Sequence, residues 1–285
     1  MSELANISTI RAIMERHGFR FSKAMGQNFI INPGICPKIA EQGGAGPRVG
    51  ALEVGPGIGV LTKELALRCQ KVVAVELDTR LLPVLAETLE DFDNVTVIND
   101  DIMTIDLHEL LAREFADVDE VIVCANLPYY ITSPVIMRLL EERLPLKSLT
   151  VMVQKEAAQR LCAPMPSRQA GAITAAVAYY TRPSLLFSVA PGSFMPAPKV
   201  ESAVIRLEVR AEPAVAVADE VLLFQIIKAA FSQRRKTLLN CLVSFFSLEK
   251  AAVAGLLEQA GIPANARGEA LALEDFARLT EAWAK

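Results

Sequence analysis

Five short runs rich in β-branched residues, "VGALEV", "KVVAVE", "VTVIN", "EVIVCAN" and "SLTVMVQ", succeed one another between Val49 and Gln154. The intervals "GVLTKELALRC" and "TRLLPVLAETLEDF" carry apolar residues at three- and four-residue spacing, the signature of amphipathic helices. Strand and helix alternating this often leave few options. Right-handed crossovers place helices on both faces of a mostly parallel sheet, so the pattern predicts a doubly wound α/β fold. Two more apolar runs, "SLLFSVA" and "SAVIRLEVR", flank the Pro-rich "PGSFMPAPKV" and are expected to extend the sheet, with one antiparallel edge strand.

A chain of 285 residues, 52% of them hydrophobic, can bury one large core and a smaller second one. After "RAEPAVAVADE" only helical patterns remain: "EVLLFQIIKAAFSQRRKTLLNCLVSFF", "LEKAAVAGLLEQAG" and "ALEDFARLTEAWAK". The expected division is therefore 1–211, an α/β domain with an N-terminal extension that includes a helix over Ile7 to Arg16, and 212–285, a small helical domain. No run approaches the ~18 apolar residues needed to span a bilayer, and "MSELANISTIRAIMERHG" lacks a signal peptide's apolar stretch, so a cytoplasmic protein without membrane association is expected. The five cysteines are scattered without a CxxC and the two histidines are isolated, so neither a disulfide framework nor a metal site is expected.

Net charge is −4, yet the charges are segregated. Between Ala157 and Val200 there is no acidic residue but there are Arg160, Arg168, Arg182 and Lys199; between Val221 and Leu248 the charges are Lys228, Arg234, Arg235 and Lys236. Two such segments on an acidic chain suit either solvated surface or a polyanion.

"ALEVGPGIGVLT" reads as a strand entering a glycine-rich turn that opens a helix. Gly55, Gly57 and Gly59 let backbone approach a ligand closely. Glu76 ends the second strand 21 residues after Gly55, where an acid accepts hydrogen bonds from a ribose in doubly wound folds. The spacing is G-x-G-x-G, not the G-x-G-x-x-G of dinucleotide sites. Glu53, Glu76, Asp78, Asp100 and Asp101 crowd the ends of successive strands, a rim that repels phosphates and suits a cationic cofactor carrying a ribose. Each acid alone could instead cap the following helix.

The fourth strand stops at Asn126, followed by Leu127, Pro128, Tyr129 and Tyr130. Ligands of open α/β sheets lie beyond the strands' carboxyl ends, so this turn faces the same space as the glycine loop. An exocyclic amine is hard to activate by deprotonation at neutral pH; acceptors for its hydrogens aim its lone pair instead. The Asn126 side-chain oxygen and a backbone carbonyl, that of Pro128, are candidates, and Tyr129 offers a face on which a base can stack. Chemistry on a base in folded RNA requires removing it from its stack.

Taken together, these motifs resemble the ribosomal RNA adenine N6-dimethyltransferase family over nearly the whole chain: "GQNFI", "LEVGPGIGVLT", "VELD", "NDDIMTID", "NLPYYIT", "SFMPAPKVESAVIRL" and "FSQRRKTLLNCL". The resemblance implies a Rossmann-like class I methyltransferase sheet using S-adenosylmethionine, without metal. It implies cofactor contacts at Asn28, Ile30, Gly55, Gly57, Glu76, Asp101 and Asn126, and catalytic roles for Asn126, Pro128 and Tyr129. Phe194 is implied as a second aromatic contact, with Arg234, Arg235 and Lys236 on the RNA. The implied activity is dimethylation of two adjacent adenosines in the 3′-terminal hairpin of 16S rRNA, late in small-subunit assembly, by a monomer. Competing readings are a large-subunit adenine dimethyltransferase of the antibiotic-resistance type, a non-catalytic RNA-binding assembly factor, and a nicotinamide-dependent oxidoreductase. Two positions depart from the family pattern. Tyr130 stands where Asn is usual, and Ile30 where Leu is.

Overall fold

A computed structural model describes residues 3–19 and 28–284. Gly26 and Gln27 of the "GQNFI" motif lie outside the described residues. The strands are β1 (Phe29–Ile30), β2 (Val49–Val54), β3 (Lys71–Glu76), β4 (Val95–Asn99), β5 (Glu120–Asn126), β6 (Leu146–Gln154), β7 (Thr181–Val189), β8 (Phe194–Met195) and β9 (Ser202–Val209). Seven of them form one sheet in the order β4-β3-β2-β5-β6-β9-β7. β2, β3, β4, β5 and β6 pair in parallel, and β9 runs antiparallel to β6. The antiparallel strand expected at the edge thus lies one place inside it, with β7 outermost.

The order places a switch point between β2 and β5. From β2 the chain winds outward through β3 and β4, then crosses back to lay β5 on the other side of β2. A crevice opens where two such halves diverge, beyond the strands' carboxyl ends. The register is tight there: Val54 is level with Ala125, and Glu76 with Asn99, so the turns after all four strands share one rim. β2 is buried along its whole length, as a central parallel strand must be.

The chain divides into two compact units, Met1–Ala158 with Ser184–Val209, and Gln159–Pro183 with Arg210–Lys285. The first holds the sheet apart from the opening residues of β7, together with the helix Ile7–Arg16 and a two-stranded pairing of β1 with β8. Its helix Ile35–Gly43, which no sequence pattern announced, buries Ile35, Cys36, Ile39 and Ala40. The second unit contains the helices Glu220–Ala230, Leu238–Phe246, Lys250–Gln259 and Leu273–Trp283 and also takes in Ala172–Tyr180. The reason is a local polar and aromatic anchor: the Tyr179 and Tyr180 hydroxyls donate to Glu220 at 3.2 and 2.8 Å, and the Tyr180 ring stacks on Phe224. No helix among the described residues is long and apolar enough to cross a membrane.

Candidate active site

A cleft in the first unit is walled by all four strand-end turns and by the start of β1. The glycine loop supplies its floor. Gly55, Gly57 and Gly59 hold φ of 69°, 61° and 88°, a left-handed region that L side chains rarely adopt. At Gly57 the positive φ favours glycine, and a Cβ would stand a tight 3.3 Å from the Phe29 ring. Gly55 also donates its N–H to Val75 O at 3.0 Å, which ties the loop to the end of β3.

Glu76, at the end of β3, accepts the Asp78 N–H on Oε1 at 2.8 Å. Burial raises its pKa, the N–H groups of Asp78 and Gly57 pull it back, and the neighbouring Asp78 carboxylate raises it again. Asn99 at the end of β4 donates to Glu76 O at 2.7 Å, and the Asp100 N–H reaches the same carbonyl at 3.2 Å. Asp101 folds the following turn by accepting the Met103 N–H at 2.8 Å. That turn is held from outside by Arg138, whose guanidinium donates to the carbonyls of Ile102 and Ile105 and pairs with Glu142.

Asn126 at the end of β5 carries the most telling contact. Its Nδ2 donates to Asn28 O at 3.1 Å, which commits the amino end of the amide and turns Oδ1 into the end available to a donor. The Pro128 carbonyl, by contrast, already accepts the Ile131 N–H at 3.1 Å and the Thr132 hydroxyl at 3.3 Å. Its two lone pairs are engaged in starting the helix Thr132–Glu141, so it is poorly placed to take an amine hydrogen as well. Tyr129 lines the cleft with its hydroxyl hydrogen-bonded to Ser202 Oγ at 2.8 Å. Tyr130, also on the wall, is 58% exposed.

Asn28, Ile30, Gly55, Gly57, Glu76, Asp101, Asn126, Pro128 and Tyr129 all line this one cleft. Phe194 does not. It is 3% exposed and sits behind the wall, where β8 pairs Phe194 with Ile30; a two-residue strand has no periodicity from which this could be read. Arg234, Arg235 and Lys236 belong to the second unit. They lie not on a helix but on an exposed turn, because Ser232 closes one helix onto Ala229 O and Thr237 caps the next through Asn240 N–H. Arg234 donates to Arg168 O at 3.4 Å, so the two basic stretches of the sequence touch within this unit.

Glu53 is a wall residue outside the expected set of cofactor contacts. It is 1% exposed and its carboxyl is pushed up to about 8, first by burial, with the Thr62 hydroxyl lowering it and the Glu76 charge raising it. Thr62 lies close enough to act on the carboxyl, although neither Glu53 Oε2 nor Thr62 Oγ1 reaches hydrogen-bonding geometry.

A family model described as ribosomal RNA adenine dimethylase matches residues 18–285. The chain belongs to that family. The ribosomal RNA small subunit methyltransferase A of Geobacillus thermodenitrificans is 47% identical over 283 residues, covering 98% of this chain and 97% of the relative. Its namesake from Bacillus licheniformis is 46% identical over 282 residues, with coverage of 98% and 97%. Among solved structures, the 23S rRNA methyltransferase ErmE is 27% identical with a TM-score of 0.67, covering 90% of this chain and all of that one. A dimethyladenosine transferase from Plasmodium falciparum shares the fold, with a TM-score of 0.73 at 24% identity and coverage of 88% and 95%. Family membership makes the protein an S-adenosylmethionine-dependent methyltransferase.

Proposed function

We propose that this chain dimethylates the N6 amines of two adjacent adenosines in the 3′-terminal hairpin of 16S rRNA, acting on the small subunit or its precursor. Identities of 47% and 46% to small-subunit enzymes, against 27% to a 23S enzyme, favour that target. The observation that carries the chemistry is the Asn126 amide, tied by Nδ2 to Asn28 O beside the glycine loop.

The cleft suits S-adenosylmethionine. Gly55 and Gly57 offer backbone without side chains, and Glu76 presents a carboxylate already oriented by an N–H. Among the described lining residues there is no Lys or Arg, while Glu53, Glu76, Asp100 and Asp101 are present. That balance favours a cation with a ribose over a pyrophosphate. Asn28, Ile30, Gly55, Gly57, Glu76, Asp101 and Asn126 are the residues that would hold it. Bound there, its sulfonium supplies an electrophilic methyl group and a neutral thioether leaving group.

The chain's own contribution is orientation and exclusion of water. Asn126 Oδ1 accepts one amine hydrogen and turns the nitrogen lone pair toward the methyl carbon. Tyr129 gives the flipped base a face, worth about 1–3 kcal/mol. Pro128 acts through its fixed φ, stiffening the turn that presents both groups. With Asn126 Oδ1 holding one amine hydrogen, the proton displaced on methylation would pass from the amine to solvent at the open side of the cleft. The basic turn at Arg234–Lys236 supplies RNA affinity. Mapping methylated nucleosides after incubation with labelled cofactor tests this reading. Two adjacent N6,N6-dimethyladenosines near the 3′ end of small-subunit rRNA are expected; label in large-subunit rRNA alone would overturn the target.

A further inference from the structure

Tyr129 is held by more than its backbone. Its hydroxyl bonds Oγ of Ser202, a fully buried residue at the start of β9 and 73 positions away. Ser202 is itself fixed. It pairs with Gln154 at the end of β6, while the adjacent Glu201 accepts the Lys155 N–H on its carbonyl at 2.9 Å and the Lys155 ammonium on its carboxylate at 2.6 Å. A phenol anchored at both ends, by Cβ and by hydroxyl, keeps the direction of its long axis, which limits how far the ring can tilt.

Building on the proposed roles of Asn126 and Tyr129, we propose that Ser202 is a positioning residue for the Tyr129 ring and that its hydroxyl sets how completely the target amine is dimethylated. The two transfers make unequal demands. In the first, the amine brings two N–H groups, and a bond to Asn126 Oδ1 orients it whichever hydrogen is used. In the second, one hydrogen has become a methyl group. The lone pair again takes the sulfonium methyl, sulfur keeps the S–C electron pair, and the single remaining proton leaves to solvent. With half the donors gone and more bulk at the nitrogen, the base depends more on the plane of the ring beneath it. A ring free to tilt therefore penalises the second transfer more than the first.

The test is a time course of N6-methyladenosine and N6,N6-dimethyladenosine on undermodified small subunits for wild type, Ser202→Ala, Tyr129→Phe and the double variant. Each single variant is expected to raise the mono- to dimethyl ratio about 3- to 10-fold, the size of one net hydrogen bond, with cofactor affinity unchanged. The double variant should do no more than either single, because both delete the same bond. Should Ser202→Ala fold poorly, Tyr129→Phe removes the bond from the other side. An unchanged ratio with both transfers slowed alike would overturn the inference, as would multiplied effects in the double variant. Tyr129→Ala checks the platform beneath it: both transfers should fall, and wild-type rates there would remove the stacking role and the Ser202 role together.

Discussion

The strand-end cleft and the Arg234–Lys236 turn are built from opposite materials. In the cleft, functional side chains are tied to backbone: Glu76 to the Asp78 N–H, Asn126 to Asn28 O, Asp101 to the Met103 N–H. Each tie fixes an atom's direction, and burial makes a misdirected polar group costly. On the turn, three cations stand in solvent, where geometry matters little and summed charge matters most. The cleft therefore selects and orients, whereas the turn attracts. Substitutions should act sharply and locally in the first region, and additively and salt-dependently in the second.

Among effects on binding and stability, the largest expected from testing that contrast is Gly57→Val. It forces a β-branched residue to φ 61° and drives its side chain toward Phe29, so cofactor affinity should fall at least about tenfold, more than about 1.4 kcal/mol. Titration calorimetry reads it directly, and unaltered affinity would mean the loop is not the cradle. Replacing Arg234, Arg235 and Lys236 together with Gln should leave cofactor binding intact and weaken RNA binding. The slope of log affinity against log salt should drop by about 0.7–0.9 for each phosphate that the turn no longer neutralises. An unchanged slope would take this turn off the RNA path.

A smaller effect concerns Glu53. Its folded pKa, about 8, lies above the ordinary 4.5, so its contribution to stability is fully present below about pH 4.5 and is lost as pH rises through 8. Glu53→Gln should therefore gain Tm relative to wild type as pH is raised from acid to mildly alkaline, through that window. A difference in Tm that is flat across it would show the carboxyl to be solvated. Smallest of all is Tyr130→Asn. The ring is 58% exposed, so stability should change by no more than about 0.5 kcal/mol, with cofactor affinity preserved; a large Tm loss would reveal packing that the exposure does not suggest.

The same contrast explains what could be read from the sequence. All the main strands of the parallel sheet were legible because β-branched runs and the turn residues that end them are local signals. The helix Ala172–Tyr180 was not, because "AITAAVAYY" is apolar on every side and carries no amphipathic period. Ile35–Gly43 is short and has Pro37 in its first turn. The break at Phe231–Thr237 did leave a signal: six polar residues, Ser232 to Thr237, interrupt the apolar rhythm, and Ser232 and Thr237 are the stop and cap residues. Within the cleft, the residue types were readable but their ties were not. The Asn126–Asn28 bond spans 98 positions and the Tyr129–Ser202 bond 73, and no local pattern encodes either. Nor could it be read that Pro128 O, a candidate acceptor, would be used up by the helix it precedes.

The central claim is that Asn126, besides its place in the cofactor cleft, orients the amine that receives the methyl group. Asn126→Ala, assayed for methyl transfer to undermodified small subunits alongside S-adenosylmethionine binding by calorimetry, separates the two. Transfer should fall by about 10²–10³, the loss typical of one preorganised polar group, while cofactor affinity weakens less than about tenfold. Full turnover by that variant, or loss of cofactor binding in proportion to the loss of rate, would contradict it.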